Sequence, residues 1–234
     1  MKQYIIYSLS LVLTVFGCKK ENSTKNNNSG RVAYYASANT SIPLIKIAGA
    51  GKMESISALP PIKWVSATIF VNEISFEGTS NQQVISKESV ETNMDLFASD
   101  NNIGMLQLPS GEFKNSKVTL HLKKGKDSQA SFMIKATYTN SKGNIVPFHV
   151  ANSDEFNVKL EVGNLKIDPL KKYKAVFSYK LDKIFDGIST ADLENIVDTY
   201  SDEGIYISSS VNVNLYEKIK LNWQTLATAE FIEE

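Results

Sequence analysis

The stretch KWVSATIFVNEISFEG (Lys63–Gly78) decides the fold. Val65, Ala67, Ile69 and Val71 fall at every second position, the period of a strand that sends alternate side chains into a core. Ile74 and Phe76 keep the alternation in the opposite phase. A one-residue slip would turn one of these two sets toward solvent, so the sequence predicts a β-bulge near Asn72 and Glu73 that returns both sets to one face.

Working outward, the same alternation recurs downstream. It is carried by Val118, Leu120 and Leu122, by Phe132, Ile134, Ala136 and Tyr138, and by Phe156, Val158, Leu160 and Val162. Two further runs follow, through Tyr173, Ala175, Phe177, Tyr179 and Leu181 and through Ile205, Ile207, Val211, Val213 and Leu215. Between them stand turn sequences, LPSGEF, KKGKD, NSKGN and IDPLKK, rich in the residues that set special backbone angles. Many antiparallel strands with polar outer positions predict a mainly β chain, an antiparallel β-sandwich, with one or two short helices near the C-terminal end.

The first of those helices is GISTADLENIVDTYSDEG (Gly187–Gly204). Ser189 stands three residues before Asp192, the spacing of a capping box, and Leu193, Ile196, Val197 and Tyr200 follow at helical intervals. Gly204 is its expected stop. The tail from Leu215 reads either as a helix through Ile219, Trp223 and Leu226 or as a strand through Ile219, Leu221 and Trp223. The stretch Arg31–Trp64, with its Gly, Ala and Pro, reads as a loop longer than a connector needs, and such loops usually bind something.

Upstream, the apolar run Tyr4–Phe16 is too short to cross a bilayer as a helix, which takes about 20 residues. With Lys2 before it and Gly17 after it, residues 1–17 have the form of a secretory leader. Cys18 is the only cysteine of the chain, so no disulfide forms within it. Val15-Phe16-Gly17-Cys18 resembles a bacterial lipobox, in which the cysteine is acylated and becomes the first residue of the mature protein. The resemblance implies a covalent lipid on Cys18, and no other cofactor is expected. Residues 18–30 are almost wholly polar and read as a flexible tether reaching about 20 Å, at 5–6 Å times the square root of its length. Residues 31–234 remain for the β-sandwich domain. Lys19 in place of aspartate argues for the outer membrane, and Lys20-Glu21 resembles in part the signal for display on the cell surface in Bacteroidota.

The 25 Lys and Arg residues equal the 25 Asp and Glu residues. Arg31 is the only arginine, so no basic field is present to recruit nucleic acid. A segment holding Met94, Asp95, Leu96 and Phe97 is followed by Leu106, Leu108, Pro109, Gly111, Phe113, Val118, Leu120 and Leu122. In that order they resemble a β-sandwich domain of Bacteroidota envelope lipoproteins. The resemblance implies fold and address, and its motifs are structural.

Candidate chemistry is sparse. His121 and His149 lack the close spacing of a zinc pair. Asp198, Asp202 and Glu203, and also Asp100, Asn101 and Asn102, offer oxygen ligands for calcium without the EF-hand spacing. Asp182 and Asp186 could form a carboxylate pair of the kind glycoside hydrolysis needs, and a turn explains them more simply. No nucleophile elbow, phosphate loop or dinucleotide motif occurs, so the expectation is not an enzyme. Trp64, Trp223, Tyr34 and Tyr35, with Tyr206, are the candidate binding aromatics. Together these features predict a non-catalytic accessory subunit docking on an outer-membrane β-barrel protein or on other lipoproteins. The alternative is a glycan- or adhesin-type binding module.

Overall fold

A computed structural model describes residues 28–39, 62–126, 129–196, 199–200 and 204–234. Its longest element is the strand that holds the opening stretch, β2 (Ile62–Thr79), preceded by β1 (Ser29–Asn39). There follow β3 (Gln83–Asp95), β4 (Asn102–Pro109), β5 (Gly111–Leu122), β6 (Phe132–Thr139), β7 (Ile145–Asn152), β8 (Phe156–Ile167) and β9 (Lys172–Lys180). After a 3-10 turn (Leu181–Phe185) come α1 (Thr190–Glu194), β10 (Thr199–Tyr200), β11 (Gly204–Ile207), α2 (Val213–Thr225) and β12 (Ala227–Glu233). The strands form a four-stranded sheet, β12-β9-β1-β4, and an eight-stranded sheet built on β2. The mainly β, two-sheet architecture is consistent with the expected sandwich.

The bulge lies where the phase change requires it. Val71 pairs with Leu122 and Glu73 with His121, so Asn72 is the extra residue of β2. Ala67, Ile69, Val71, Ile74 and Phe76 are all fully buried as a result. Val65 does not join them. A second shift between Trp64 and Ser66 makes Val65 the extra residue against β6, and it is 60 % exposed.

β2 also organises its neighbours. Thr68 and Ile69 pair with β3 on one edge and β6 on the other, so β6 lies end to end with β5 along the edge opposite β3. The two halves of β2 therefore carry different partners. Beyond Asn72 its inner face meets the small sheet: Ile74 lies against Gly104 of β4, and the Tyr34 hydroxyl of β1 donates to the Ser75 carbonyl at 3.4 Å. Before Asn72 the core is completed by the 3-10 turn and the helices, through ring pairs of Trp64 with Phe185 and of Phe132, beside Ile69, with Trp223. The segment after β3 bridges the sheets, since the Leu96 N–H donates to Ala67 and its carbonyl accepts from Ala38.

Several expectations need correction. Ser29 and Gly30 belong to β1, and Arg31–Asn39 is strand rather than loop, its inward positions being Val32, Tyr34 and Ala36. A side chain at Gly30 would meet Ile167 of β8 at 2.4 Å, so only glycine lets β1 start so close to that strand. The capping box at Ser189 and Asp192 forms, but the helix ends at Glu194. Tyr200 lies in β10, and Gly204, with φ +87°, opens β11 instead of closing a helix. Val211, Val213 and Leu215 do not extend β11: a turn at Ser208–Val211 intervenes and Val213 starts α2. In the ambiguous tail the helix is the reading that holds: Ile219, Leu221 and Trp223 all lie in α2, so no strand runs through them, and the last strand, β12, starts only at Ala227.

Candidate functional site

After the bulge, odd-numbered residues of β2 point away from the core, and one polar cluster gathers there. Glu73 stands opposite His121 of β5, and Ser75 opposite Lys87 of β3. Ser75 Oγ and His121 Nε2 share a hydrogen bond of 2.9 Å. Glu73 Oε1 lies 3.4 Å from the same nitrogen and accepts from Lys87 Nζ at 3.1 Å. A serine, a histidine and a carboxylate within reach invite comparison with an acyl-transfer triad. In a triad the base takes the serine proton at one ring nitrogen while the carboxylate holds the other. Here both oxygens meet Nε2, so the carboxylate competes with the serine instead of orienting its base. Ser75 is 3 % exposed, and the histidine satisfies a hydroxyl that would otherwise be buried at a cost.

A second cluster lies under α2. Asn152 at the end of β7 is fully buried, and its Nδ2 donates to Ser131 Oγ at 3.0 Å, while Ser131 donates to the Asn152 carbonyl at 2.9 Å. Its Oδ1 accepts from the Asp154 N–H at 3.1 Å and from the Tyr216 hydroxyl of α2. Asp154 Oδ2 in turn accepts from Tyr216 and from Lys220 Nζ. The hydrogen bond and charge of Lys220 hold the Asp154 carboxyl below its usual range, against a smaller opposing effect of burial. Burial first, and then the Asp154 charge, raise the Tyr216 hydroxyl well above the usual tyrosine range. Each polar group in this seam has a partner, so it acts as a latch that sets α2 on the sheet.

The candidate aromatics separate by depth. Trp223 and Tyr34 are fully buried, which removes both from any surface platform. Trp223 occupies the inner stripe of α2, stacked between Phe132 (4.2 Å between centroids) and Tyr179 (5.4 Å). Tyr34 takes an inward position of β1 against Phe177. Trp64 is half-buried on Phe185. Tyr35 is half-buried on the outer face of the small sheet beneath Lys174 Nζ, 5.5 Å from its ring centroid. Tyr206 packs its ring edge-on to His149. The five do not converge on one surface.

The remaining candidates are scattered too. His121 lies on β5 beyond the bulge and His149 on β7 before it. Asp182 is an exposed residue of the 3-10 turn and Asp186 its C-cap, whose carbonyl accepts from Asn222 Nδ2 at 2.9 Å. Asp100 Oδ1 accepts from the Asn102 N–H at 3.4 Å, closing its own turn. Asp198, Asp202 and Glu203, like Cys18, lie outside the described residues. Among the described residues no group of three or more His, Cys, Asp or Glu is placed to hold a metal ion.

No local sequence pattern joins the residues of the latch. One indication was present: in β7 the inward phase runs Phe148, Val150, Asn152, an amide where the alternation calls for an apolar side chain. No protein-family model matches the chain, and no match is found among curated proteins or solved structures.

Proposed function

We propose that this chain is an outer-membrane lipoprotein, displayed at the cell surface and held by acyl chains on Cys18. Its β domain serves as a non-catalytic accessory subunit of an outer-membrane β-barrel complex. The observation that carries the reading is Val15-Phe16-Gly17-Cys18 at the end of a short apolar run. It is supported by the position of β1, which begins eleven residues after that cysteine, so the domain is suspended from its first strand. No helix among the described residues is long and apolar enough to cross a membrane, and the lipid would supply attachment; two or more acyl chains are needed for it to be stable.

A partner would meet a sheet face more readily than a sheet edge. Among the described residues β3 pairs only with β2, and the strand carries Lys87, Glu88 and Glu91, the last with φ +39°. Charges and a local kink are the devices that discourage strand addition. The glycan-binding alternative loses Trp223 and Tyr34 as stacking surfaces, and no observation favours it.

The test is a mild-detergent extraction of the native membrane with a tag after Glu234, read by mass spectrometry. A β-barrel protein or another lipoprotein recovered in stoichiometric amount is the expected result. The chain recovered alone refutes the accessory role, and a Cys18→Ser variant that still sediments with membranes refutes the anchor.

A further inference from the structure

The β8–β9 turn, Asp168-Pro169-Leu170-Lys171, presents one side chain outward more fully than any other large apolar residue described: Leu170 is 92 % exposed. A singly exposed leucine is ordinary on a protein surface. This one is held in place. Asp168 Oδ1 accepts from the Leu170 N–H at 2.9 Å, the Asp168 carbonyl accepts from the Lys171 N–H at 3.2 Å, and Pro169 fixes the backbone between them. The turn is therefore a closed loop with leucine at its tip.

Its position is the second observation. The Asn28 carbonyl accepts from the Ser110 N–H, and Gly30 packs against Ile167 and Asp168, so the described chain enters the domain directly beside this turn. Ten residue steps separate Cys18 from Asn28, a reach of at most about 35 Å when fully extended. The opposite end of the sandwich, where Ile145 pairs with Thr139, lies the length of β2 away, and 18 residues span about 60 Å.

We propose that the β8–β9 turn is a bilayer contact that inserts Leu170 into the lipid interface and fixes which end of the domain faces the membrane. The inference rests on the lipid anchor at Cys18 proposed above. The anchor supplies a high effective concentration of bilayer, so one leucine suffices to bias orientation although it would not recruit a free domain. Charge contributes little: Lys171 pairs with Glu233, and Lys166 stands across from Glu112. The contact should therefore form on zwitterionic lipid as well as on anionic lipid.

The experiment uses the full acylated chain in phosphatidylcholine vesicles. Single-cysteine variants Leu170→Cys and Ile145→Cys carry an environment-sensitive fluorophore, since the Cys18 sulfur is consumed by its lipid. The label at 170 should be quenched by nitroxide-bearing lipid and shielded from aqueous iodide by about tenfold relative to 145, in line with burial of one apolar side chain. A label at Asn81→Cys, in the neighbouring exposed β2–β3 turn, reads orientation without touching the tip. Its shielding should fall toward the value at 145 when Leu170→Asp is added.

Protein that floats with the vesicles and carries the acyl mass, yet leaves 170 as open to iodide as 145, overturns this inference alone. Shielding at 170 without quenching from lipid overturns it too, in favour of a protein contact. A chain that neither floats nor carries an acyl group overturns the anchor reading and this inference together.

Discussion

The two halves of β2 bury similar side chains against different things. Beyond Asn72, Ile74 and Phe76 enter the part of the core that lies between the two sheets, facing β1 and β4. Before it, Ala67 and Ile69 lie in a core that the 3-10 turn and α2 complete, with Trp223 as its largest side chain. The first kind of core is distributed over many medium-sized side chains. The second depends on a few stacked rings, so it should fail more sharply when one is removed.

Trp223→Ala tests that directly and should have the largest effect. It removes contacts to Phe132 and Tyr179 at a fully buried position, and such truncations cost about 3–5 kcal/mol. Chemical denaturation gives the magnitude, and hydrogen exchange gives its distribution. Loss of protection confined to α2, β6, β7 and β12 would make the two halves separate cooperative units, whereas uniform loss would show that β2 couples them. Ile74→Ala, on the other side of the bulge, should cost about 3 kcal/mol, with exchange rising first in β1, β4 and β5. An Ile74 effect larger than that of Trp223 would break the comparison.

Tyr216→Phe should be milder. The Asn152 Oδ1 atom keeps the Asp154 N–H as a donor, so about 1–2 kcal/mol is expected from the lost hydroxyl contacts, seen as a lower unfolding midpoint with α2 fraying first. The smallest effect concerns pH. The folded-state pKa of Asp154 is depressed by Lys220, so the stability it contributes is complete above the unfolded carboxylate range. That stability is lost as pH falls through the folded value. The carboxylate is half exposed, so solvent screening keeps the contribution small. Asp154→Asn should flatten the acid limb of a stability profile for α2 and leave the β3–β5 region unchanged.

What was legible in the sequence follows the same division. In the sheet-on-sheet half, period two sufficed: the phase change at Asn72 identified both the bulge and the faces of Ile74 and Phe76. In the helix-covered half, the same rule misassigns Val65, because this second extra residue is itself apolar and stays in phase with Ala67 and Ile69, so the alternation shows no break. It also carried Val211, Val213 and Leu215 into a strand, although Asn212, with φ +54°, breaks the run and α2 follows. The sequence leaves Trp223 open between a helix stripe and a binding surface, because an aromatic in an ambiguous segment says nothing about which face is inward until its helix is docked. The polar latch joins Ser131, Asn152 and Lys220, which no local pattern connects. The cluster at Ser75 was hidden for a related reason, since cross-strand neighbours become visible only once register is known.

One pairing carries a consequence in time. β1 lies between β4 and β9, and its contact with β9 is parallel, Arg31 beside Lys172, so roughly 140 positions of chain must be available before that edge can close, a separation that slows folding. The large sheet can assemble from neighbours in sequence, β2 with β3 and β6 with β7, while the first strand waits. During synthesis β1 would thus stay unpaired longest, and β12, the last described strand to arrive, completes the sheet that β1 opens. A chaperone that protected this chain while it folds would have its longest task at that first strand.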